Sequence, residues 1–402
     1  MVLRGRVVAP DRVIADGAVV IEGDRIVWVG AVVSATAPAA LAAAVAATAP
    51  SPGTTLLPGL VDLHNHGGGG ASFPDAADAD DARRAAHEHL RHGTTSLVAS
   101  LVTADADTLV AQATLLADLV DAGELAGIHL EGPFLSRTRC GAQNPDEMRS
   151  GDSGLVRRIA NAARGYLVTM TIAPELDGIR GPGGVIEALA AAGAVPSFGH
   201  TDASAEQVDE AVAQARAVLS AARTRSARPT ATHLFNGMRP LHHRDPGPIA
   251  ACLAAAGRGE LVVELIADGT HLAAGTVRAV FDLVGAGAIA LVTDAMAATG
   301  MPDGSYDLGP MRVQVADGVA RLAQGDAIAG GTAHLLDVVR YAVDAGIPIE
   351  AAVRSASATP AAVLGRRDIG ALEAGRRADV VVVDAGLVPR GVMRAGQWVG
   401  TS

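Results

Sequence analysis

Between residues 58 and 300 the chain repeats one pattern eight times: a short apolar run, a polar turn, then an alanine-rich stretch of helical character. The apolar runs end at Leu63, Ala99, Leu130, Ile172, Phe198, Thr232, Ile266 and Val292. A buried strand followed by a helix is a βα unit, and consecutive units lay their strands parallel. Eight units are the number that closes a barrel, within the usual span of ~250 residues. The repeat is one of pattern only, since no motif recurs. Alternating strand-like segments stand at both termini: Val19-Val20-Ile21 and Ile26-Val27-Trp28-Val29 at one end, Val380-Val381-Val382-Val383 at the other. The expected fold is therefore α/β, a (β/α)8 TIM-like barrel over residues 58–370. A small β-sandwich built from residues 1–57 and 371–402 would accompany it. Residues 301–325, rich in Gly and Asp among short strands, read as an excursion before the last helices.

Composition narrows the function. All 32 basic residues are Arg and none is Lys. That excludes a Schiff-base lysine, a P-loop lysine and a metal pair bridged by a carboxylated lysine. A net charge of −11 and an aromatic content of 2% oppose a nucleic-acid partner. The stretch from Ile26 to Val61 has no charged residue, but it is alanine-rich and broken by Pro38, Pro50 and Pro52. It reads as strand, Ala-rich loop or short helix, then strand, and not as a membrane span. With only Cys140 and Cys252 there is no disulfide framework, and no signal peptide stands at the start, so a soluble cytoplasmic protein is expected.

The chemistry lies at the ends of the apolar runs. There stand Asp62-Leu63-His64-Asn65-His66, His129-Leu130-Glu131, Gly199-His200-Thr201-Asp202, Thr232-His233, Asp268-Gly269-Thr270-His271 and Thr293-Asp294. A barrel brings the C-terminal ends of its strands to one mouth. His64 and His66, two apart on a strand, face the same way. Imidazoles and carboxylates together suit Zn²⁺, Fe²⁺ or a similar ion. The single-residue alternative, a hydrogen-bonded strand-end His or a capping Asp, explains each position alone but not their coincidence on successive strands. His129 reads as structural, His87, His89 and His92 as a solvated helix face, His242 and His243 as loop residues, and His334 as a helix residue.

These motifs, with Pro58-Gly59-Leu60-Val61-Asp62-Leu63-His64-Asn65-His66-Gly67, His129-Leu130-Glu131-Gly132-Pro133-Phe134, Thr232-His233-Leu234-Phe235-Asn236-Gly237-Met238 and Val292-Thr293-Asp294-Ala295, resemble the N-acetylglucosamine-6-phosphate deacetylases of the amidohydrolase superfamily. The resemblance runs from about residue 58 to 300 and extends to the terminal β-domain. It implies that Glu131, His200 and His233 hold one divalent metal, with zinc first and iron, manganese or cobalt as alternatives. A second ion would be held by His64 and His66 with Glu131 or Asp294, giving one or two ions per subunit. It implies that Asp294 serves as general base and acid in hydrolysis of an acetamide. Arg244, eleven residues after His233, corresponds to the family's phosphate-binding arginine, which reaches across a homodimer interface; an ordinary rim arginine is the alternative. His271 would be the second phosphate contact. Asn236, Gly237, Ala142 and the turn Ile328-Ala329-Gly330 would meet the rest of the substrate, a small amino-sugar phosphate.

One position departs from the family pattern. Gln143 stands where the family has a histidine that hydrogen-bonds the carbonyl oxygen. An amide donates but carries no positive charge, so weaker oxyanion stabilisation is expected of it. Cys140 in the same loop reads equally as a pocket thiol or an ordinary loop residue. Rival readings are a deacetylase for another N-acyl amino-sugar phosphate, such as the galactosamine epimer, and a non-catalytic barrel that binds sugar phosphate.

Overall fold

The computed structural model describes residues 1–33 and 37–400. Eight parallel strands follow one another in chain order around a sheet: β1 (Leu60–Asn65), β2 (Thr94–Leu101), β3 (Gly127–Glu131), β4 (Leu167–Ile172), β5 (Val195–Phe198), β6 (Thr230–Ala231), β7 (Val262–Leu265) and β8 (Ile289–Leu291). Just past the strand ends the circle closes. Asn65 pairs with Ala295 in parallel, and the Asp294 N–H donates to the His64 carbonyl at 2.9 Å. The barrel expected from the eight apolar runs is the fold adopted.

Helices between the strands begin where the sequence supplies caps. Asp78 accepts the N–H groups of Asp80 and Asp81 at the start of Ala79–Arg91, and Asp105 does the same for Ala106–Asp121. Ser204 and Gln207 form a reciprocal capping box on Ala205–Ala222. Alanine and leucine on the inner helix faces pack against the sheet: Ala113, Leu116 and Ala117 of one helix are fully buried with Leu97, Ile128 and Leu130 of the strands. Small side chains let helix and sheet approach closely, which is why an alanine-rich chain builds this core.

The termini meet in one seven-stranded sheet, ordered Gln397–Trp398, Pro389–Arg394, Val380–Val383, Thr55–Pro58, Val2–Val8, Val13–Glu22, Arg25–Ala31. Its N- and C-terminal halves join where Val380–Val383 runs antiparallel to Thr55–Pro58. The sheet folds over a core of its own that includes Val7, Val19, Ile26, Leu56, Val380 and Met393. Its far edge, at Arg25, reaches Arg377 just before the C-terminal strands begin. The uncharged stretch contains a nine-residue helix, Ala39–Ala47; among the described residues no helix is long and apolar enough to cross a membrane. The excursion after β8 is a three-stranded antiparallel sheet, Gly304–Leu308, Met311–Ala316 and Val319–Leu322. It packs over the barrel mouth on Val102, Met296 and Ala329.

Candidate metal centre

Glu131, the last residue of β3, stands at the middle of the mouth. Its Oε1 lies 2.9 Å from His200 Nε2 and 2.8 Å from His233 Nε2. Its Oε2 faces the other way, 3.3 Å from His66 Nε2 and 3.8 Å from His64 Nε2. Asp294 Oδ1 completes that second group at 3.1 Å from His66 and 3.4 Å from His64, whose Nε2 atoms are 3.0 Å apart. All six side chains are buried. The structure thus gathers the six metal-ligand candidates read from the strand ends into two adjoining groups that share Glu131.

The donor set fits divalent ions. Ligand atoms ~2.1 Å from a tetrahedral ion lie roughly 3.3 Å from one another, the spacing found here. Each imidazole also turns Nε2 inward, and three have an acceptor holding Nδ1–H outward. His200 donates to the Arg139 carbonyl at 2.7 Å and His66 to the Ser100 carbonyl at 3.2 Å, while His64 Nδ1 lies 3.3 Å from Glu264 Oε2. That arrangement fixes the tautomer a metal needs. Burial opposes ionisation of Glu131 and Asp294. The surrounding imidazoles outweigh it, His200 and His64 for Glu131 and His64 and His66 for Asp294, and hold both carboxyls well below the usual range.

Beneath these two groups the barrel interior is polar. His129 contacts Thr169 Oγ1 at 2.7 Å and Thr171 Oγ1 at 3.1 Å, and its ring lies 4.5 Å from that of His64. Burial lowers its pKa well below the ordinary value, so it packs as a neutral neighbour of His64. Asp62 ties β1 to β8: it accepts the Thr293 hydroxyl at 2.6 Å, the Asn65 amide at 3.2 Å and two backbone N–H groups. Burial pushes its carboxyl up to about 6 despite those donors.

A cavity of about 330 Å³ opens above the centre. Ala142, Gln143, Asn236, Gly237, His271, Ile328 and Gly330 line it together with His66, Glu131, His200, His233 and Asp294. Gly237 is required there. Its φ is +59°, and a Cβ would lie 2.7 Å from His200 Nδ1. Burial opposes a charge on His271, but Asp268, 2.8 Å from its Nδ1, raises its pKa above the ordinary value, which suits an anion. Gln143 is clamped end to end. Its carbonyl accepts the Thr103 N–H at 2.8 Å and its NH₂ donates to Glu131 Oε2. The amide is therefore engaged by the Glu131 carboxylate as well as facing the cavity. Of the expected substrate contacts Ala329 does not line it, and neither do Cys140, read equally as a pocket or a loop thiol, and Arg244, read as reaching a neighbouring subunit or as a rim arginine. Ala329 is fully buried with Met296 and Val313, and its N–H bonds to the Ala320 carbonyl; Cys140 is half-buried in the loop; Arg244 stands exposed on its own loop.

The solvated face expected for His87, His89 and His92 is corrected at His89. That side chain is fully buried, its Nε2–H donating to the Gly67 carbonyl at 2.8 Å, and burial lowers its pKa to about 3. His92 is half-buried and stacks on His334, rings 3.6 Å apart and 20° from parallel, with Glu88 beside both. Stacked rings hold their nitrogen lone pairs in parallel planes, which do not converge on one ion, so this cluster is an ion-pair clamp. Sequence reading also passed over Arg321, Leu308 and Asp326, which the three-stranded sheet and its following loop bring to the cavity wall. They follow no strand of the barrel, and no periodicity points to them. Glu264 was hidden inside the apolar run Leu261-Val262-Val263-Glu264-Leu265-Ile266, where an acid amid hydrophobic residues was the available signal.

The amidohydrolase family model matches residues 55–399. The N-acetylglucosamine-6-phosphate deacetylase of Lysinibacillus sphaericus is 35% identical over 356 residues, covering 86% of this chain and 85% of the relative. That of Homo sapiens is 33% identical over 361 residues, 86% and 84% of the two chains. The chain belongs to the amidohydrolase family, in its N-acetylglucosamine-6-phosphate deacetylase branch. Solved structures agree. A mutant deacetylase of Mycobacterium smegmatis in complex with N-acetyl-D-glucosamine-6-phosphate superposes with a TM-score of 0.87 at 42% identity, covering 100% of this chain and 99% of that one. The Thermotoga maritima deacetylase superposes at 0.82 with 27% identity, covering 100% of both.

Proposed function

We propose that this amidohydrolase removes the acetyl group from N-acetyl-D-glucosamine 6-phosphate, giving glucosamine 6-phosphate and acetate. The observation that carries the reading is Glu131 at the meeting of two imidazole groups, in a cavity that also presents Asp294, His271 and Arg321. Glu131, His200 and His233 would hold one divalent ion, and His64, His66, Glu131 and Asp294 a second, with zinc the first choice and iron, manganese or cobalt the others. A metal held there lowers the pKa of water and polarises a carbonyl. Asp294, which would be ionised beside such an ion, takes a proton from the attacking water and returns it to the amine as the C–N bond breaks. Gln143 presents its amide beside Glu131, within the wall that the acetamide faces. His271 and Arg321 are the cationic groups suited to the phosphate. Two free thiols and a phosphorylated substrate favour the cytoplasm. Arg244, exposed and outside the cavity wall of its own subunit, suits a homodimer in which it reaches the neighbouring site.

The test is amine release from a panel of N-acetyl hexosamine phosphates, with the metal stripped and restored. We expect release from the glucosamine derivative above its galactosamine epimer, loss on chelation, and recovery on adding Zn²⁺ or Co²⁺. Asp294→Asn should lower kcat by about 10²–10⁴-fold, the range for a proton-transfer group, while the Glu131, His200 and His233 ion stays bound. Binding of every sugar phosphate in the panel without turnover by metal-loaded enzyme would favour the non-catalytic barrel.

A further inference from the structure

Glu264 lies in β7, is completely buried, and has His64 as its ion-pair partner among the described residues. Its Oε2 lies 3.3 Å from His64 Nδ1 and accepts the backbone N–H of His233 at 3.3 Å. One oxygen thus touches a residue of each ligand group. Its Oε1 and the Nδ1 of His233 are buried and have no hydrogen-bond partner among the described residues. An isolated carboxylate in such a place is costly unless a positive charge compensates it.

The charge of the centre supplies the reason for keeping it. Glu131 and Asp294 together neutralise one divalent ion. A second ion would leave two positive charges uncompensated among buried side chains, and the Glu264 carboxylate reduces that excess to one. His66 and His200 have their Nδ1–H groups held by neutral backbone carbonyls, whereas His64 is held by a carboxylate, which makes its Nε2 the more basic. We propose that Glu264 is a positioning residue for the second ion: it fixes His64 with Nε2 turned inward and lends the charge that lets the His64/His66 group fill. The inference rests on the reading, given above, that His64 and His66 are metal ligands.

The experiment compares wild type with Glu264→Gln, which keeps an acceptor without charge, and Glu264→Met, which keeps bulk alone. Each is stripped with chelator and titrated with Co²⁺, with stoichiometry from elemental analysis, affinity from the visible spectrum, and Tm recorded in parallel. The first equivalent should bind as in wild type. The second should weaken about tenfold in Glu264→Gln and about 100-fold in Glu264→Met, the range for deleting an outer partner of a metal histidine. Two ions bound by both variants with wild-type affinity would overturn the proposal. So would a fall in Tm with both affinities weakened alike, which marks a purely structural role. A His64→Asn/His66→Asn variant separates the levels. If it holds as many ions as wild type, the reading of the second group fails and Glu264's role fails with it. If it loses one ion while the Glu264 variants lose none, the role of Glu264 alone is wrong.

Discussion

At His200, His233 and Asp294 the backbone is left-handed, with φ of 46°, 27° and 49°. Side-chain-bearing residues seldom adopt this region, and His and Asp are among those that tolerate it best. Each such residue costs on the order of 1–3 kcal/mol, which the barrel sustains because neighbours fix the peptide. Asp294, for example, donates its N–H to His64 and accepts from the Gly331 N–H at 2.6 Å. The result is three side chains turned back over the barrel axis at the point where each strand ends. Arg321 belongs to the same scale. It is exposed, hydrogen-bonded to the Asp326 carbonyl at 2.8 Å, and lines the cavity from its own subunit. If it receives the phosphate, Arg321→Ala should raise KM for the phosphorylated substrate about tenfold, the loss of one charge-assisted contact, with kcat little changed. The comparison that checks it is the unphosphorylated N-acetyl sugar, whose kcat/KM should not move.

At the scale of elements, the helix Ala79–Arg91 works in two directions. His89 faces inward and holds the Gly67 carbonyl at the end of the His64/His66 segment. Glu88 faces His334, the N-cap of the helix Leu335–Asp344, at 3.0 Å, and Asp337 lies on the other side of that ring at 3.4 Å. The first α-helix after β1 and the first α-helix after β8 are thereby clamped by an imidazolium between two carboxylates. The signs follow from the shifts. Burial opposes charge on His334, but Asp337 and Glu88 raise its pKa above 6.5, so its contribution is whole below 6.5 and is lost as pH rises through the raised value. Glu88, held by His334, and Asp337, held by the same ring against burial, both drop to about 2. Their contributions are whole above about 4.5 and are lost toward pH 2. The clamp is therefore strongest in mild acid. Tm should fall from pH 6 toward pH 9 in wild type, and His334→Gln should flatten that slope; equal slopes in the two proteins would remove His334 from the account.

At the scale of the whole molecule, Arg244 is the residue that would tie a site to its assembly. On its exposed loop it serves either no site or a neighbour's. Mixing Arg244→Ala with Asp294→Asn subunits decides between these. If the arginine crosses a dimer interface, a mixed dimer contains one site with both residues intact, and activity should recover to about a quarter of wild type under random pairing. Recovery absent from a mixture shown to have exchanged subunits would confine Arg244 to the rim.

Much of this was legible along the chain because it depends on local pattern. Strands and helices reveal themselves by the length and spacing of apolar residues, and the barrel then follows from their number. Polar residues gathered at strand ends follow from the barrel, so the candidates His64, His66, Glu131, His200, His233 and Asp294 could be named without coordinates. What only the tertiary structure decided are the contacts between elements far apart in sequence. Those contacts buried His89 on a helix that looked solvated and brought Arg321 over the mouth on an inserted sheet. They also turned Gln143 onto Glu131 and set Glu264 behind His64, 200 residues away. A local signal carries burial and period; it does not carry which charge will meet which across a closed barrel, because that is fixed only when the sheet closes.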